Sequence, residues 1–316
     1  MSSKNPLQNR LIESAREARK KYDVLVNSYP NTSSILQLLP GLFWVLFFLG
    51  GATLLIVLYS ILQNPPPSGG LNFTIQNYVE FIRTTFYWDI LWESFIIAIQ
   101  VTVFSLFIGY IPAYYISFND SRWKNALLLL MILPFWVNLV VRTYAWQLIL
   151  GQQGLINYVL SDVLNLLTQP SGYLFSQQSI IIGLVHVFLP FTVVPIYTSI
   201  DRVERSQIEV AKNLGANRFR AFYEVTFPQT LPGVGASAVL VFVLSFGSFI
   251  VPSLLGGQSN IMIANVISDL FVNIGDWGLG SAVATVFVIT VLVLVYLFNR
   301  TLGLEELYSE TKEEET

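Results

Sequence analysis

The sequence predicts an all-α polytopic membrane protein with six transmembrane helices, and three observations carry that prediction. Of its 316 residues, 53% are hydrophobic and only 12% are charged, against roughly 25% charged in ordinary soluble domains. Six apolar stretches follow one another, over residues 41–62, 94–118, 125–147, 179–200, 234–255 and 278–299, and a helical crossing needs about 20 such residues. Inside lipid the backbone must satisfy its own hydrogen bonds, so segments of this composition are helices. Five of the six contain no Asp, Glu, Lys or Arg. The third carries Arg142 near its outer end, where a long cationic side chain is expected to snorkel to the interface.

Residues 1–40, ahead of the first span, are polar and cationic. Leu11, Ala15, Ala18, Tyr22 and Leu25 recur in steps of four and three among Arg16, Arg19, Lys20 and Lys21. That pattern fits an amphipathic helix on the inner membrane surface, or equally a solvated helical tail. It does not fit a signal peptide, because the polar part is too long and the apolar run after it too wide. The connection 63–93 opens with Pro65-Pro66-Pro67 and Gly69-Gly70, a stiff turn away from the bilayer. Connection 148–178 holds Gly151 and Gly154 and an expected short interfacial helix over Leu155–Leu167, and connection 256–277 runs from Gly256-Gly257 to Asp276-Trp277. Pro112, Pro134, Pro190, Pro195 and Pro252 punctuate the spans, and kinks are expected there. The membrane-spanning body is therefore 41–300, followed by an acidic tail, 301–316, that ends in Glu313-Glu314-Glu315.

Lys and Arg set the orientation. With the N-terminus inside, the leading segment, the loop after the second span, the loop 201–233 and the C-terminal tail hold nearly all of the 17 basic residues, leaving only Arg83 and Arg142 outside. Both termini and the loop 201–233 are then cytoplasmic.

Within that loop, Glu209 to Pro232 is a polar island. Ser206-Gln207-Ile208-Glu209 has the form of a capping box, with Ser206 as N-cap. Ile208, Ala211 and Leu214 give one apolar face, and Gly215 falls where a left-handed C-cap would stop the helix. Asn217 can cap a second helix whose Phe219, Phe222 and Thr226 share a face and which Pro228 is expected to end. A capped helix pair displayed between two spans is a docking knob.

The residues Glu209-Val210-Ala211, Gly215-Ala216, Phe222, Val225 and Pro228 resemble, at matching spacings, the "EAA" loop of ABC importer permeases; Val210 stands where alanine is usual. The resemblance implies the type I importer permease (MetI-like) fold and a coupling helix that docks on separate ATPase subunits. The coupling residues it implies are Glu209, Ala211, Gly215, Ala216, Phe222 and Pro228. It further implies two ABC ATPase subunits, a second permease, an extracytoplasmic substrate-binding protein and a bacterial inner-membrane location.

The chemistry missing from the chain agrees. No Lys follows a Gly, so the phosphate loop is absent and ATP with its Mg is expected on partner chains. No cysteine is present, and the single histidine, His186, makes a histidine-based metal site implausible. A lone histidine in an apolar helix is read as a hydrogen-bonded packing residue before a proton relay. No nucleophile with its base is evident, so the chain is not expected to be an enzyme and needs no cofactor of its own. The net charge of -3 argues against nucleic acid.

A second run, Leu133-Pro134-Phe135-Trp136, Val141-Arg142-Thr143-Tyr144-Ala145-Trp146 and Gly154-Leu155-Ile156-Asn157, resembles the first permease subunit of spermidine/putrescine importers. That implies a polyamine solute. The outer connections carry Glu80, Asp89, Glu93, Asp162, Asp269 and Asp276, a surface that would attract a polycation. Tyr144, Trp146, Asp269 and Asp276 are the candidate pathway or binding-protein contacts. Import of another solute such as iron, sulfate or phosphonate is the alternative within the class. A stand-alone secondary transporter is the alternative outside it, weakened by the lack of acids within the spans.

Overall fold

The computed structural model describes residues 38–63, 65, 72–119, 123–159 and 172–302. The amphipathic segment up to residue 37, most of the proline turn at 65–70, Asp162 and the acidic tail beyond 302 lie outside the described residues. The chain divides into two units, Met1–Leu58 and Tyr59–Thr316. The first is described by most of one helix, α1, Leu38–Ser60. Its aromatic residues stack along one side, Phe43 on Phe47 and Trp44 on Phe48, with ring centres 5.6 and 4.5 Å apart.

The second unit begins with the last turn of α1 and contains α2 (Gln76–Arg83), α3 (Thr85–Phe118), α4 (Lys124–Trp136), α5 (Leu139–Leu150), α6 (Gln177–Asp201), α7 (Arg205–Asn213), α8 (Arg218–Phe246), α9 (Ile250–Leu255), α10 (Ile263–Ile274) and α11 (Trp277–Leu302). Among the described residues five helices are long and apolar enough to cross a membrane, and the pair α4–α5 makes a sixth crossing if its two halves are taken together.

Three span boundaries differ from those expected. The second crossing starts at Thr85, not 94, because its first turns carry Asp89 and Glu93 on an exposed face that hydropathy alone rejects. The fifth runs Arg218–Phe246, not 234–255. Its C-terminal end breaks at Gly247, and the apolar residues beyond form the separate short helix α9. The third is bent by 91° between α4 and α5. Pro134 draws the end of α4 into a tight 3-10 turn, Val137 is extended, and Asn138 Oδ1 accepts from Val140 N at 2.8 Å to start α5. Pro112, Pro190 and Pro195, by contrast, lie inside continuous helices.

α3, α6 and α8 form the packed centre. Lipid tails are as apolar as leucine, so close packing and interhelical hydrogen bonds, at about 0.6 kcal/mol each, hold such helices together. At Gly233 a Cβ would lie 2.5 Å from the Pro195 carbonyl, so α6 and α8 meet there backbone to backbone. Nearby, buried Ser237 donates to the Thr192 carbonyl at 3.1 Å. Toward the N-terminal end of α6, Ser179 donates to the Leu255 carbonyl at 2.7 Å, and the Ile263 amide donates to Ser94 Oγ at 2.8 Å. Asn265 donates to Ser253 Oγ and the Phe249 carbonyl, while Asn77 donates to the carbonyls of Ser60 and Leu62.

Candidate functional site

The knob is built as two helices separated by a tight reversal. α7 starts two residues earlier than a Ser206 cap would allow. Its N-cap is Glu204, and Ser206 instead donates from Oγ to Glu204 Oε2 at 3.2 Å. Val203, just before the cap, is buried and fixes where the chain leaves the bundle. Glu209 is accordingly the fifth helical residue, exposed, and takes no part in a capping box.

The far end of α7 is as expected. Gly215 has φ +93°, its amide bonds to the Lys212 carbonyl at 2.9 Å, and the Ala216 amide bonds to the Ala211 carbonyl at 3.0 Å. This pair of bonds is a Schellman closure, and it needs a left-handed residue where glycine stands. Asn217 then caps α8, its Oδ1 accepting from Arg220 N at 2.8 Å.

Pro228 does not end that helix. A wide π turn over Phe222–Thr226 precedes it, and α8 continues through Pro228 to Phe246. Proline lacks an N–H and its ring crowds the preceding turn. A turn with one extra residue shifts the pairing there and makes room for the ring.

The expected faces are only partly apolar seats. Ile208 and Ala211 are half-buried, but Leu214 is 84% exposed; Phe222 is half-buried and Thr226 buried, but Phe219 is 86% exposed. With Val210 and Tyr223, also exposed, these make an apolar surface on a knob whose backbone ends are satisfied locally. Gln229 Nε2 donates to Gln207 Oε1 at 2.8 Å and ties α7 to the foot of α8. Arg220 and Glu224 pair at 2.9 Å.

The pathway candidates do not converge. Trp146 is half-buried, and its Nε1 donates to His186 Nδ1 at 3.1 Å. That hydrogen bond accounts for the histidine as a packing residue. The pair helps line a mostly apolar cavity of about 530 Å3 between α3, α5 and α6, with Phe104, Ile108, Gln178 and Ile182 on its walls. Tyr144 lies on the exposed face of α5 instead. Asp269 is exposed and accepts from Asn273 Nδ2 at 2.6 Å, whereas Asp276 is the N-cap of α11, its Oδ1 accepting from Leu279 N at 2.9 Å.

Arg142 does not snorkel. It is buried on α5, in the half of the span beyond the 91° bend, with Nε and Nη1 lacking hydrogen-bond partners. Sequence reasoning missed the Trp146–His186 pair and the Gln207–Gln229 tie, whose members are 40 and 22 residues apart. Neither carries a local signal. The described residues contain no group of three or more His, Cys, Asp or Glu that could hold a metal.

Residues 102–303 match the family described as the binding-protein-dependent transport system inner membrane component. The chain is 34% identical over 262 residues to the spermidine/putrescine transport system permease protein PotB of Haemophilus influenzae, covering 81% of this chain and 90% of that protein. It is 33% identical over 270 residues to PotB of Escherichia coli, covering 83% and 98%. Its fold is similar to that of a chain in the bacterial alginate ABC transporter crystallised with an alginate pentasaccharide-bound periplasmic protein, with a TM-score of 0.68, 17% identity and coverage of 89% and 94%.

Proposed function

Because this chain belongs to the binding-protein-dependent transport inner-membrane component family, we propose that it is one permease subunit of an ATP-driven polyamine importer. The similarity of four fifths of its length to spermidine/putrescine permeases carries the choice of solute. In this reading a second permease, two ATPase subunits and an extracytoplasmic binding protein complete the transporter, with ATP and Mg bound on the ATPase chains. The chain itself is not an enzyme. It spans the bacterial inner membrane with both termini and the knob in the cytoplasm, in keeping with the Lys and Arg distribution.

The knob suits an ATPase groove because it is preformed and apolar at its tip. Val210, Leu214, Phe219 and Tyr223 are exposed, and a rigid docking element binds without first ordering itself. Glu209, Ala211, Gly215, Ala216 and Phe222 hold or present that surface, and Pro228 follows the turn that joins it to the membrane. Closing of the ATPases would push the knob and rock the spans between inward- and outward-facing states. Solute released by the binding protein would enter a path shared with the second permease; Tyr144, Trp146, Asp269 and Asp276 stay candidates for its outer part.

Co-purification from the native membrane and reconstitution in liposomes test this reading. ATPase chains should be stoichiometric partners, and ATP-dependent uptake of labelled spermidine should be competed by putrescine but not by phosphonate or sulfate. Spermidine accumulation by the chain alone, without an ATPase, would reject it.

A further inference from the structure

We propose that Tyr110 and Tyr114, at the inner end of α3, brace that span across the wide turn of α8, so that a displacement of the knob reaches the second crossing through these two rings. The proposal rests on the reading of the knob as the ATPase seat and adds the route by which its movement enters the bundle.

The wide turn Phe222–Thr226 lies between the knob and the membrane part of α8. Such turns depart from the regular helical ladder and are points where a helix bends. Contacts from α3 fall on both sides of it. On the knob side, the Phe222 ring meets Tyr110 and Tyr114 edge to face, with centres 5.8 and 5.5 Å apart and planes at 87° and 79°. On the membrane side, Phe227 lies 6.1 Å from Tyr110. Thr230 Oγ1 is 3.0 Å from the Tyr110 hydroxyl. Thr230 donates to the Phe227 carbonyl at 2.8 Å, which leaves the tyrosine as the donor between them. Tyr114 is held in turn by Phe118, one turn further down α3, at 4.6 Å.

Tyr110 therefore touches both arms of a joint, and Tyr114 meets the knob side. Tyr110 is tied by its hydroxyl to the buried arm, where Thr226 and Thr230 are almost fully enclosed. Tyr114 is in edge contact with the first residue of the turn. A change of angle at the joint moves Phe222 against both tyrosine rings while the Tyr110 hydroxyl stays fixed to Thr230, and α3 must tilt relative to α8. Edge-to-face contacts have a preferred geometry, so the coupling is directional and not a general stiffness.

The test uses the complete transporter, co-expressed with its ATPases and second permease, in liposomes with labelled spermidine and its binding protein. Tyr114→Ala should co-purify with the ATPases at wild-type stoichiometry and hydrolyse ATP within about twofold, yet take up at least ~tenfold less spermidine per ATP. Tyr114→Phe should restore the ratio. Tyr110→Phe, which keeps the ring and removes the donor, should lower it by about threefold. An unchanged ratio in both Tyr110→Ala and Tyr114→Ala overturns the brace alone, as does a parallel fall of yield, hydrolysis and uptake, which is the mark of mere packing. A wild-type chain that copurifies with no ATPase would instead reject the functional reading, and the brace with it.

Discussion

The knob and the opposite end of the second unit are both polar in sequence, yet they use their polar groups in opposite ways. At the knob, backbone ends are closed by Gly215, Ala216 and Asn217 within a few residues, which frees large apolar side chains to face outward. At the opposite end, polar side chains are committed to fastening helices: Asp276 caps α11, Asn265 holds α9 to α10, and Ser179 joins α6 to α9. An exposed hydrophobe on a locally satisfied scaffold points to a partner. A carboxylate already accepting a helix amide points first to architecture.

The sharpest way to break this contrast is Gly215→Asp. Aspartate at φ +93° is strained, at about 1 kcal/mol or more, and places a charge on the docking face. Uptake should fall to background with membrane insertion intact, measured by transport and by extraction of the folded chain; normal uptake would remove the knob from the mechanism. Next comes Phe219→Ala, which should weaken ATPase association by about 2 kcal/mol, roughly 30-fold, as for a buried interface anchor. Because Phe219 is 86% exposed in the chain itself, thermal unfolding of the isolated permease should not change.

At the other pole, Asp276→Ala should lower stability by about 1 kcal/mol through loss of the cap, while Asp276→Asn keeps the cap and should leave both melting and uptake unchanged. A raised KM for spermidine in Asp276→Asn would show that the carboxylate serves the solute as well. The smallest effect is expected from Trp146→Phe, which removes the donor to His186 and should shift unfolding by about 0.6 kcal/mol; a large loss of uptake there would move Trp146 from packing to pathway.

What could be read in the sequence was local. Gly215 and Asn217 act on amides within a few residues, so their roles were visible without a fold, and the apolar runs correspond to five long helices and the bent pair α4–α5. Span ends were misplaced where helix and hydropathy part company: α3 extends outward through Asp89 and Glu93, and α8 passes Pro228 because a wide turn absorbs it. Ser206 failed as a cap because the burial of Val203 decided where the chain turns. The fates of Arg142 and Trp146 depended on the bend and on a partner 40 residues away, and no spacing rule reports those, whereas Asp276 caps α11 through an amide three residues on.

That bend has a further consequence for what can lie against this chain. Between Leu133 and Asn138 the regular ladder gives way to a tight turn closed by the Val137 amide on the Pro134 carbonyl at 3.2 Å, and the carbonyls of residues 135–137 fall outside the α-helical pattern. Acyl chains cannot hydrate them. Phe135, Trp136 and Val137 stand exposed around the break, so a neighbouring subunit or a column of water, never bare hydrocarbon, has to complete the wall at this depth.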